Sequence, residues 1–218
     1  MKEKTISFLA LISILSAHIA NSVLMKYMFV PDEGISWVEK CYFISFVMLL
    51  LGLITVFEWD VIFPDTRDFN NLLTLPVKLK MIFASKFTSL CLFIGIFALG
   101  ASAISMLVFW FHLLPWQEDQ GVLFSLFFMC AHLVSLIAAC FFVFFFFAFL
   151  IGVLMMIFPA RLFRALSLFI RTVLMIICVF LMIFIVLSSF TSSSFFNSLP
   201  ALKANNSLSF YLFPPMWF

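Results

Sequence analysis

The chain has 218 residues, 66% hydrophobic and 10% charged, with a mean hydropathy of +1.25 and a formal net charge of +2. A soluble domain carries roughly 45–50% apolar and about 25% charged residues, so this is the composition of one integral membrane domain with no polar block long enough to fold as a second. The small net charge and the lack of a basic run exclude a nucleic-acid partner.

In chain order, the first apolar run is 6–25, preceded by Lys2 and Lys4 and long enough to cross a hydrocarbon core of about 30 Å. Its basic start and the small residues Ser16, Ala17 and Ala20 also suit a signal peptide. However, His18 and Ile19 occupy places that an A-x-A site would give to small residues, so an uncleaved span is favoured. Either way the loop 26–40 falls on the far side of the membrane. The second span, 41–57, is short but extendable through Trp37, whose indole suits an interface. A polar stretch, 58–86, follows it.

The third span, 87–114, ends at Pro115. It carries Ala98, Ala101, Ser102 and Ser105 at spacings of three and four, which is either a stripe for close helix packing or ordinary use of small residues. After a short acidic loop, 122–158 runs apolar for longer than one crossing requires. Such a helix must tilt, break near Gly152 or project beyond the bilayer. Within it the run Phe141 to Phe149 is nearly solid Phe and reads as bulk apolar filler against lipid. Arg161, Arg164 and Arg171 then suggest a basic turn or amphipathic helix lying at the inner face, ahead of a fifth span, 173–190. A polar tail, 191–218, ends in Phe213-Pro-Pro-Met-Trp-Phe218. The expected fold is therefore all-α, a polytopic transmembrane helix bundle of about five spans.

Lys2, Lys4, Arg67, Lys78, Lys80, Lys86, Arg161, Arg164 and Arg171 all land on one side of this topology. By the positive-inside rule that side, with the N-terminus and the stretch after Glu58, is cytoplasmic. In this stretch Asp65 can cap a helix, with Asp68 as the acidic partner of a capping box. Phe69, Leu72 and Leu73 make one apolar face, and Pro76 stops the helix near Leu75. An amphipathic helix of about two turns is unstable alone in water and must dock on something.

The sequence offers little chemistry. There is no G-x-x-x-x-G-K-S/T loop, no H-E-x-x-H and no G-x-S-x-G elbow. His18, His112 and His132 lie on different predicted helices and read as packing or interfacial histidines, not as a metal site. Cys41, Cys91, Cys130, Cys140 and Cys178 fall in apolar runs without C-x-x-C spacing. The spans hold almost no ionisable group, which argues against an enzyme or a proton-coupled pump, and no cofactor is expected.

The polar stretch does carry a resemblance. Glu58-Trp59-Asp60, Phe63-Pro64-Asp65, Arg67-Asp68, Leu75-Pro76-Val77 and Phe83-Ala84-Ser85-Lys86 are similar to the segment between the second and third spans of bacterial ABC-2-like exporter permeases. The likeness extends more weakly to Phe158-Pro159-Ala160-Arg161 and the closing Pro-Pro-Met-Trp. It implies an inner-membrane permease subunit that couples to a separate ABC ATPase through Glu58, Asp60, Asp65, Arg67, Asp68, Phe69 and Leu72, and that forms a homodimer or pairs with a second permease chain. ABC-2 membrane domains usually have six spans against the five counted here, so a C-terminally truncated permease is expected, or a scaffold that transports nothing.

Overall fold

A computed structural model describes residues 14, 16–20, 36–57, 79–113, 122–190, 205 and 214–217. They form four long helices, α1 (Ser36–Phe57), α2 (Leu79–Leu113), α3 (Val122–Ile157) and α4 (Ala160–Phe190), and a 3-10 turn, Pro214–Trp217. Each helix contains a stretch long and apolar enough to cross a membrane: Lys40–Phe57, Ala84–Val108, Leu126–Ile157 and Leu166–Leu187. The chain is a helical membrane protein. Of the expected first span, 14 and 16–20 are helical, with Ser16 and Ala20 buried, and the rest of 6–25 lies outside the described residues.

Three helices depart from the sequence expectation, α2 and α4 by starting earlier and α3 by its continuity. α2 starts at Leu79, so Lys80 and Lys86 stand on a helix and not in the polar stretch, which shortens to 58–78. α3 runs unbroken through Gly152, so of the three alternatives the break is set aside and tilting or projecting remain, and the helix stops only at Phe158 and Pro159. The expected surface helix around Arg161, Arg164 and Arg171 is instead the first part of α4, continuous with the fifth apolar run. Pro159 immediately precedes α4, and its carbonyl accepts the bond of the first turn from Phe163 N at 2.9 Å.

α1 is the most deeply buried of the four long helices. It packs on α3, α4 and the 3-10 turn, while α2 packs on α3. Cys41 through Met48 are all buried, as for a helix surrounded by others. The hydroxyls of Ser45 and Thr55 donate to the carbonyls of Cys41 and Leu51, at 2.7 and 2.8 Å, so neither is orphaned in this apolar setting. Between α1 and α3 the approach is close at Gly52, where an added Cβ would lie 3.2 Å from the Phe147 ring.

The Phe-rich part of α3 divides by helical phase. Phe144 and Phe147 are buried in the core, whereas Phe145, Phe146 and Phe149 are exposed large apolar side chains. The run is thus both core and lipid-facing surface. On α2 the buried side is Ile94, Phe97, Ala98, Ala101, Ser102 and Ser105. The small-residue stripe is therefore the packed face, which in lipid brings dispersion contacts and hydrogen bonds rather than a hydrophobic gain. α4 buries Ser167, Cys178 and Ile185 and leaves Phe169, Phe180 and Phe184 exposed.

Contacts give the directions. Lys40 meets Phe128 and Phe43 meets His132, so α1 and α3 run parallel. Ser105 meets His132 and Phe87 meets Phe145, so α2 opposes them. α4 opposes α1 as well, since Tyr42 pairs with Ile185 and Arg171 with Phe57. The arrangement is up-down-up-down.

The 3-10 turn adds one more contact, Trp217 lying edge-on to Phe142 with centroids 5.3 Å apart. Phe142 is near the middle of α3, so the turn packs on the flank of that helix and not at its end. Pro214 and Pro215 carry no N–H that would need a partner there.

Candidate functional site

The polar stretch joins the end of α1, at Phe57, to the start of α2, at Leu79. Glu58, Asp60, Asp65, Arg67, Asp68, Phe69 and Leu72 lie outside the described residues, as does the short helix expected from Asp65 to Leu75. The structure defines the frame holding the two ends. In the antiparallel bundle Phe57, Lys80, Lys86, Arg161, Arg164 and Arg171 occupy one end and Lys40 the other.

At the first of these ends Arg171 crosses from α4 to α1. Its guanidinium donates to the Phe57 carbonyl at 2.6 Å and lies 5.9 Å from the centroid of the Phe57 ring. Phe57 is the last residue of α1, where helix carbonyls lack intrahelical donors and carry the negative end of the helix dipole. A guanidinium is well matched to that site. At the far end of the same helix pair, the Tyr42 hydroxyl donates to the Ile185 carbonyl. α4 begins eleven residues before Arg171, a length of about 16 Å, so its first turns with Arg161 and Arg164 reach past the end of α1.

A second polar group lies near the opposite end. Lys40 Nζ sits 3.3 Å from the centroid of the Phe128 ring, a cation–π contact that offsets part of the loss of water. One turn further along α3, buried His132 faces Phe43, with ring centroids 5.8 Å apart, and its Nε2 lies 3.3 Å from Ser105 Oγ. The Ser105 hydroxyl has one proton. The carbonyls of Ala101 and Ser102, at 3.0 and 3.2 Å, both lie nearer to it than His132 does. Ser105 thus joins the backbone of α2 to His132 of α3 through a contact between two buried side chains.

Among the described residues no three His, Cys, Asp or Glu side chains converge to hold a metal ion. His132 is buried between α2 and α3, against Phe43 of α1 and with Ser105 as a partner. No family model, no curated protein and no solved structure matches the chain.

The sequence reading missed Arg171 as a partner of α1. Its signal was present: Arg171 stands five residues inside the apolar window Leu166–Leu187, where an arginine needs a specific acceptor. It also missed Lys40, placed in the loop 26–40, as a partner of Phe128 on α3.

Proposed function

We propose that this chain is the membrane subunit of an ATP-driven exporter of the ABC-2-like kind, and that the 58–78 stretch is its docking element for a separate ATPase. The observation that carries the reading is positional. Both ends of the stretch emerge at the basic end of the bundle, and one of them is the end of the most deeply buried helix. A push on the stretch therefore acts on α1, against which α3, α4 and the terminal turn all pack.

In this reading the basic end faces the cytoplasm of a bacterial inner membrane. Asp65 and Asp68 cap the short helix, Phe69 and Leu72 fill an apolar cleft on the ATPase, and Glu58, Asp60 and Arg67 set its angle through ion pairs. Energy comes from the partner, because the chain holds no nucleotide loop of its own. A second permease chain, identical or different, completes the path.

The test is a charge reversal, Arg67→Glu with Asp68→Lys, in the full chain solubilised in mild detergent. The variant is expected to insert at the wild-type level while the ATPase that accompanies the wild type is lost. Equal recovery of the ATPase with both chains contradicts the docking assignment. A wild-type chain that brings no ATPase contradicts the exporter and leaves a membrane scaffold.

A further inference from the structure

An arginine within an apolar span is expensive unless its head reaches water or a strong acceptor. Arg171 reaches an acceptor, and that acceptor is the carbonyl of the residue directly before Glu58. With Tyr42 and Ile185 as the second point of attachment, α1 and α4 are joined at sites fifteen residues apart on α1 and fourteen on α4. The spacings nearly match, and each covers about 21–23 Å of helix. Two antiparallel helices pinned at matched sites resist sliding and splaying at both ends.

We propose that Arg171 is a positioning residue: it ties the last turn of α1 to α4, so that a force entering through the 58–78 stretch moves α1 and α4 as one body. Without the tie, the same force unwinds the end of α1, where a helix frays most readily. The tie itself is independent of any ATPase. Its use in coupling rests on the exporter reading above. A competing role for Arg171 is to fix membrane orientation by its charge alone, but Arg161 and Arg164 sit on the same helix and supply charge at that end.

Arg171→Met removes the charge and the donor while keeping a long apolar stem suited to a membrane helix. Hydrogen exchange of the full chain in lipid nanodiscs reads the consequence, after protease accessibility has shown that the variant keeps the wild-type orientation. Loss of a hydrogen bond from a charged donor is expected to speed exchange in the last turn of α1 about tenfold or more. Tyr42→Phe should instead act at the start of α1 and leave that last turn unchanged. Wild-type exchange in the last turn of a correctly oriented Arg171→Met chain overturns the tie.

The coupling role is read on the complex with the co-purified ATPase. Nucleotide is expected to alter exchange in 160–174 of the wild type, and in Arg171→Met only in the 58–78 stretch, with ATPase recovery equal. A response that reaches α4 equally in both chains overturns the coupling role. A wild-type chain that recovers no ATPase removes it together with the exporter, while the first experiment still decides the tie.

Discussion

Ser105 and His132 illustrate how a polar pair is managed where there is no water. Each would be costly alone in an apolar bundle, and together they join α2 to α3 by side chains that are both buried. Such bonds between membrane helices average about 0.6 kcal/mol, because the separated helices also find partners. Ser105→Ala should therefore lower stability by roughly that amount in a reversible detergent unfolding titration. A double-mutant cycle with His132→Leu should return a coupling of the same sign, and a coupling of zero would mean the contact does no work. The serine could be read from its spacing with Ala98, Ala101 and Ser102, which puts all four on one helix face. The histidine could be assigned to packing but not to a partner, since 27 residues separate it from Ser105 and no local pattern links them. Arg171 and Phe57 are 114 residues apart, and the same limit applies.

At the scale of helices, the apolar runs were legible because uncharged stretches as long as 41–57, 17 residues, or longer have few alternatives to a span. Boundaries were less so. The sequence places Lys80 and Lys86 in the polar stretch and Arg161 and Arg164 in a basic turn or surface helix, yet α2 and α4 continue through them. Long basic side chains can run along a helix toward water, so a charge does not end a helix in the way Pro159 does. The close approach of α1 and α3 yields a paired prediction. Gly52→Val places atoms against the Phe147 ring, already 3.2 Å from an added Cβ, and overpacking of this kind costs about 1–3 kcal/mol. Gly152→Val has nothing within 4 Å of its Cβ and should leave the unfolding midpoint unchanged. Equal midpoints for the two variants would contradict the packing described, and Phe147→Ala should relieve part of the Gly52→Val defect.

For the whole molecule, four antiparallel helices, a deeply buried α1 and a polar stretch issuing from its end make a body that can receive force at one place. The all-α membrane class followed from composition. The order of packing around α1 did not, because all the runs are similarly apolar and only the structure shows α1 to be two-thirds enclosed, with 67% of its window buried against 11% for α4. The candidate site was found by contrast, as a cluster of charges and prolines between two spans, and its ends now have defined positions at Phe57 and Leu79. The most direct test of the docking claim is a photo-crosslinking amino acid placed at Phe69 of the full chain in intact cells, with the adduct identified by mass spectrometry. A covalent link to a cytoplasmic nucleotide-hydrolysing subunit is expected, and it should weaken when Arg67→Glu and Asp68→Lys are also present. Crosslinks to lipid alone, or to a protein on the opposite side of the membrane, would contradict it.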